Sequence, residues 1–200
     1  MRNTLLLVLS FLTAGGPAFA AGPSDIPAVQ VSEANGVYSV VARFTVAELP
    51  ADVLAVLTDY AHIPSFMPGI RTSIVHERAE GRAVVEQEAV SKLMMFSKRV
   101  HLMLEVEEQS GGMTFRDRCG KSFKQYEGSW RVSRQGALTT VVYELKADPS
   151  FEVPEFMLKR LLKRDSGDMI EQLRREVTRR AAVARVSSAT VLAAADMLRP

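Results

Sequence analysis

From residue 70 to 147 the chain is a succession of short runs in which apolar and polar residues alternate, each separated from the next by a tight turn. The clearest is 94–107, where Met94, Phe96, Val100, Leu102, Leu104 and Val106 share one face. A period of two marks a strand with one covered and one wet side, because successive side chains point to opposite faces. Similar runs cover 70–79, 82–91, 113–119, 124–134 and 137–147. Glu80-Gly81, Ser110-Gly111-Gly112 and Gln135-Gly136 fill turns between them. Connections this short leave no room for a crossover helix, so consecutive strands pair antiparallel. The chain is thereby confined to a meander whose apolar face something else must cover.

Helical segments flank that meander. Asn35-Gly36 lies between two β-rich runs within 29–48, and both residues tolerate the positive φ of a type I′ hairpin turn. Leu49-Pro50-Ala51-Asp52 then changes the period, and Val53, Leu54, Val56, Leu57 and Tyr60 recur at helical spacing. Pro64 is expected to end that helix, and Pro68-Gly69 to end a short second turn holding Phe66 and Met67. Pro149 and Pro154 bracket a crossing segment, after which the chain reads as one long helix to about Ala182. Leu158, Leu162, Met169, Ile170, Leu173 and Val177 form its apolar arc, which Asp165 and Glu176 interrupt. Ser166-Gly167 leaves a spot without bulk in mid-helix, marking either a kink or a place where the helix gives room to something inside. The Ala-rich stretch 183–200 reads as either a helix extension or a frayed tail.

The beginning of the chain carries an address. Arg2 supplies a positive start, 4–14 an apolar run, and Ala18-Phe19-Ala20 a small-residue cleavage site. The run is too short to span a bilayer, which needs about 20 residues. The expectation is a signal peptide at 1–20, a lead-in at 21–28, one domain at 29–182 and a tail at 183–200, with the mature chain periplasmic or secreted. The formal charge of +2 falls to +1 on removal of Arg2, which gives no electrostatic reason to expect nucleic acid. The lone Cys119 excludes an internal disulfide and any cysteine-rich zinc site.

The order is strand hairpin, short helix pair, antiparallel strands, long helix. The wording Val46-x-x-Leu49-Pro50-Ala51-x-Val53-x-x-Val56-Leu57-Thr58-Asp59-Tyr60, then Ile63-Pro64-x-Phe66-Met67-Pro68-Gly69-Ile70, resembles the first-strand-to-helix signature of the START / polyketide cyclase (SRPBCC, helix-grip) superfamily. It is most similar to the coenzyme Q-binding branch. Tyr126-x-Gly128-x-Trp130 and the helix opened by Pro154 also fit, and the resemblance covers about residues 36–182. It implies an α+β helix-grip fold: a curved antiparallel sheet wrapped around a long C-terminal helix, with two short helices after the first strand. It also implies a cavity between sheet and helix that holds apolar or amphipathic molecules. The export signal and the Ala-rich tail depart from the pattern.

Candidate ligand-binding residues are Phe66, Met67, Phe96, Leu102, Phe115, Tyr126, Trp130, Tyr143, Phe156, Met157 and Leu161. Arg116, Arg118 and His101 are candidates to orient a head group, with a solvated outer face as the alternative. No cofactor, metal site or catalytic set is expected. His62, His76 and His101 lack ligand spacing. Gly120-Lys121-Ser122 lacks the glycine a phosphate loop needs, Phe115 standing there instead. Glu86/Glu88 and Glu105/Glu107 each share a strand face, most often a solvated one. The function expected is non-enzymatic carriage of a lipid-like ligand (quinone, isoprenoid or phospholipid). The alternative is an aromatase/cyclase-like enzyme using His101, Asp117 or Tyr126. Nine basic residues from Lys159 to Arg185 against five acidic ones from Glu155 to Glu176 suit either peripheral contact with an anionic membrane or a solvated helix face. Export predicts an exported protein that begins at Ala21. Intact-mass measurement reads the loss of residues 1–20, and an uncleaved mass would overturn the cleavage site.

Overall fold

The computed structural model describes residues 28–93 and 96–197, with side chains described at 28–90 and 97–188. The expected signal peptide and nearly all of the lead-in lie outside the described residues, as do Met94 and the side chain of Phe96. The strands are β1 (Ala28–Ala34), β2 (Val37–Val46), β3 (Ile70–Ala79), β4 (Arg82–Leu93), β5 (Phe96–Gln109), β6 (Gly112–Asp117), β7 (Phe123–Gln135) and β8 (Leu138–Pro149). The helices are α1 (Pro50–Leu57), α2 (Ile63–Phe66) and α3 (Glu155–Met197). The strands form one eight-stranded sheet in the order β1-β2-β8-β7-β6-β5-β4-β3. Every neighbouring pair is antiparallel. The meander from β3 to β8 follows chain order, and β2 closes back onto β8, with Val40 opposite Leu145 and Phe44 opposite Val141. Register shifts at Ile70/Thr72, Val75/Glu77 and Phe123/Gln125 add local twist to a curved sheet that wraps α3.

Local chemistry accounts for the ends of the elements. Asn35 and Gly36 both take positive φ, 54° and 82°, as a type I′ turn requires. The Asp52 carboxylate accepts the Leu49 N–H at 3.1 Å, satisfying a donor at the start of α1. The short helices follow β2, the second strand of the N-terminal hairpin, so the resemblance's first strand corresponds to β2. The structure also corrects the expected end of α1. That helix stops at Leu57, Tyr60 belongs to a 3-10 turn over Tyr60–His62, and Pro64 stands in the opening turn of α2. A residue without an N–H costs nothing in a first turn, where that donor has no helical partner. α3 is helical through Ser166-Gly167 and continues past Ala182 to Met197. The alanines after 180 favour that extension.

The seating of α3 is uneven. Ile170, Leu173 and Val177 are fully buried in one apolar cluster with Val53, Val56, Phe44, Val132 and Val141. An ionic network ties the same end of α3 to the connection after α1. Arg180 meets Asp59 at 2.7 Å and Glu176 at 2.7 Å, Arg179 adds a second contact to Glu176, and His62 reaches Asp59 at 2.6 Å. Arg180 also lies 5.6 Å over the Phe66 ring.

Hydrogen bonds from Arg179 and then Arg180 hold the Glu176 carboxyl down to about 2, against the opposing effect of burial. Burial also opposes the lowering of Asp59, which hydrogen bonds from His62 and Arg180 nevertheless impose. A carboxyl depressed in the folded state stabilises the fold above its unfolded value, 4.5 for Glu176, and loses that contribution as pH falls through about 2. Urea unfolding at stepped pH should therefore show stability falling from about pH 4.5 toward 2. Arg180→Gln should flatten that dependence, and an unchanged pH slope in the variant would remove the network from the account.

Candidate ligand cavity

The covered face of the sheet follows strand parity. On β5, Val100, Leu102, Leu104 and Val106 face inward; on β7, Tyr126 and Trp130; on β8, Tyr143, Leu145 and Ala147. Beneath residues Leu158–Leu173 of α3 these side chains do not meet the helix everywhere. They line, with α2 and the loop after it, a partly open cavity of about 850 Å³. That volume lies within the range of small-molecule sites, about 300–1,000 Å³.

Aromatic rings pave the sheet side. Trp130 and Tyr143 have centroids 4.5 Å apart, Phe115 lies 6.2 Å from Tyr143 and 6.1 Å from Tyr126, and Phe123 bridges Tyr126 at 4.9 Å to Phe151 at 6.0 Å. Gly128 explains how the ladder stays continuous. It faces Phe115 across β6–β7, and a Cβ there would stand 2.6 Å from Phe115 Cζ and 2.2 Å from the Glu144 carbonyl oxygen. Tyr126 and Tyr143 stand close enough for each phenol to affect the titration of the other. Burial pushes both phenols up, Tyr143 strongly, so both remain protonated donors at neutral pH. Gln87 and Ser166 are buried polar groups on the same lining. Charged groups stand at its margin: Arg71, Arg164 and Asp168 are exposed, and Lys98, 4.2 Å over the Phe151 ring, is half-buried, as is Asp165.

Of the candidate ligand-binding residues, Phe66 and Met67 line the cavity beside α2, and Leu102, Phe115, Tyr126, Trp130 and Tyr143 line it from the sheet. Leu161 lines it from α3. Phe156 and Met157 do not. Phe156 is 73% exposed on the first turn of α3, and the helix turns Leu158, Leu161 and Leu162 inward instead. Lining residues that were not among the candidates include Tyr38, Gln87, Met113, Phe123 and Phe151, and Ser166, read from the sequence as a kink or an inward space, lines it too. Parity on the strands was the signal for Gln87 and Met113, each in step with apolar neighbours two residues away.

The polar candidates lie elsewhere. His101 points to the convex face, 3.4 Å from Glu86 and 3.8 Å from Glu88. Arg116 pairs with Glu105 at 2.7 Å and Arg118 with the same carboxylate at 3.7 Å. His76 holds Glu86 at 2.7 Å. Asp117 is tied into the turn after β6, accepting N–H groups of Met103 at 2.8 Å, Cys119 at 3.3 Å and Gly120 at 3.0 Å. Ser122 accepts the His101 N–H at 3.0 Å, so Gly120-Lys121-Ser122 is a strand connection. Of the three residues assigned to acid–base work, Tyr126 alone faces the cavity.

A curved sheet gripping one helix over an apolar cavity is the architecture of START-like domains. The chain matches the model of the "Polyketide cyclase / dehydrase and lipid transport" family over residues 47–174 and belongs to that family. Its fold is shared by the STAR-related lipid transfer protein of Xanthomonas axonopodis, at 16% identity and a TM-score of 0.61 over 79% of this chain and 97% of that one. The Zhui aromatase/cyclase of Streptomyces is similar at 17% identity and a TM-score of 0.63, over 72% and 96%. A START superfamily protein of Mycobacterium smegmatis is similar at 16% identity and 0.59, over 70% and 97%. No curated protein is a significant sequence match.

The close approach at Gly128 yields a paired test. Gly128→Ala should lower the unfolding free energy by about 2 kcal/mol or more, because carbonyl and ring must both shift. Gly167→Ala, in mid-helix with open space around it, should raise it by about 0.5–1 kcal/mol. Thermal melts of the two variants should move in opposite directions.

Proposed function

We propose that this chain binds and carries a hydrophobic or amphipathic lipid-like molecule, held between the sheet and α3. The observation that carries the reading is the cavity of about 850 Å³ lined by aromatic and aliphatic side chains. Protein interiors pack to crystal-like density, and unfilled apolar space costs stability. Apolar space of this size inside a domain packed tightly at its other end is retained for an occupant. The family match, which joins cyclases with lipid transport, supports the same class of ligand. Quinones and isoprenoids suit the paved sheet wall, in keeping with the resemblance to the coenzyme Q-binding branch.

The carrier works outside the cytoplasm in this reading, on the strength of Arg2, the apolar run 4–14 and the Ala18-Phe19-Ala20 site. Exposed Arg160 and Lys163, with exposed Phe156 at the head of α3, suit contact with an anionic membrane during loading. Native mass spectrometry and solvent extraction of the purified protein test the central reading. The expected result is a co-purified hydrophobic molecule, or uptake of quinone or phospholipid from vesicles. A protein that carries no ligand and takes up neither would overturn it.

A further inference from the structure

A serine stands within the apolar stripe of α3 where it borders the cavity. Leu158, Leu162, Ile170, Leu173 and Val177 recur at helical spacing on the face turned to the sheet, and position 166 on that stripe is serine. Ser166 is 6% exposed and lines the cavity. A buried helical serine ordinarily returns its hydroxyl to the carbonyl four residues back. Ser187 and Ser188 in the same helix do so even though exposed, to Val183 O at 3.1 Å and Ala184 O at 2.9 Å. Ser166 makes no such bond, and its hydroxyl has no hydrogen-bond partner among the described residues. The oxygen is not sealed in protein but meets open space. Water can reach that oxygen while the cavity is empty, so an occupant that displaces the water must offer a polar atom in its place or lose the hydrogen bond.

The sheet wall offers matching groups. Tyr126 and Tyr143 bring two phenolic O–H donors to the same lining. Gln87 spends its amide nitrogen on Ser73 Oγ at 3.2 Å. All these interior groups are neutral, and the charged residues of the lining stand at its margin. An ionised head group drawn inside would lose its hydration without meeting an opposite charge, which is strongly unfavourable. A bare hydrocarbon would leave Ser166 unpaired.

We propose that the cavity selects a neutral, oxygen-bearing hydrophobic molecule, a ketone, quinone or alcohol, whose oxygen pairs with Ser166 inside the cavity. The inference rests on the carrier reading above and narrows it, since it places phospholipids and fatty-acid anions among the poorer ligands. Ser166 is then a specificity residue, and the tyrosine pair supplies a second polar contact from the sheet.

Trp130, the sole tryptophan, lines the cavity and reports on occupancy. Its fluorescence should be titrated in the full chain with dodecane, dodecanol, the matching methyl ketone and laurate. The ketone and alcohol should bind about tenfold more tightly than dodecane and laurate. Ser166→Ala, which retains a good helix former, should weaken the ketone and alcohol about fivefold and leave dodecane within about twofold. Equal affinities across the set, or no effect of the substitution on ketone and alcohol, would overturn the polar subsite while dodecane binding kept the carrier reading intact. Laurate binding most tightly would also overturn it, locating the head group among the marginal cations. Failure of every probe to bind would overturn both.

Discussion

α3 crosses the concave face of an eight-stranded sheet, and it touches that face closely along only part of its length. From Ile170 to Val177 its stripe is sealed against the core, and Arg180 and Glu176 fasten the same end to Asp59. From Leu158 to Leu173 the helix also borders the cavity, most openly before Ile170. A single helix carries one row of side chains, whereas the curved sheet presents inward-facing residues from most of its strands. The two surfaces can be matched in one region but not everywhere. The sealed end holds the geometry, and the unmatched end becomes the cavity. The aromatic ladder, the marginal charges and the unpaired Ser166 all belong to that second region.

Strand parity made much of the site legible in advance. Leu102, Phe115, Tyr126, Trp130 and Tyr143 face the cavity because period two offers each strand only two orientations, and burying the apolar one settles the choice. The same parity puts His101 on the convex face, between Val100 and Leu102 on the opposite side. Asp117 shows where the rule stops. It is in step with Met113 and Phe115, but β6 ends there, and its carboxylate turns to the N–H groups of the following loop. Turn residues answer to local hydrogen bonding more than to the pleat.

Helix phase was less legible. Phe156 and Met157 precede Leu158 by one or two positions, and each position rotates the side chain by about 100° around the axis. Which rotation faces the sheet depends on how α3 docks, a tertiary fact set by the burial of Ile170, Leu173 and Val177 well along the chain. An apolar residue in the first turn therefore reads as core whether or not the helix presents it, and Phe156 is presented to solvent. Ser166 is the converse. It was visible as a spot without bulk, and both a kink and an inward space were open. The helix runs unbroken through it and the cavity lies against it, which leaves the space as its structural consequence.

Two kinds of polar chemistry are thus kept apart along α3. At the sealed end, Glu176 and Asp59 are carboxyls depressed by arginine and histidine partners, so acid weakens the attachment of α3 to the segment after α1. In the cavity, Ser166 and Gln87 do not titrate, and burial raises Tyr126 and Tyr143 away from neutral pH. The interior thus presents the same donors and acceptors across the range in which the fold is stable. Whatever binds there meets a constant environment, and an effect of acid on binding must enter through the seating of α3. Ionised groups in the interior would have joined the two responses. Their restriction to the margin, where water screens Arg71, Arg164 and Asp168, keeps recognition inside the cavity a matter of shape and neutral hydrogen bonding.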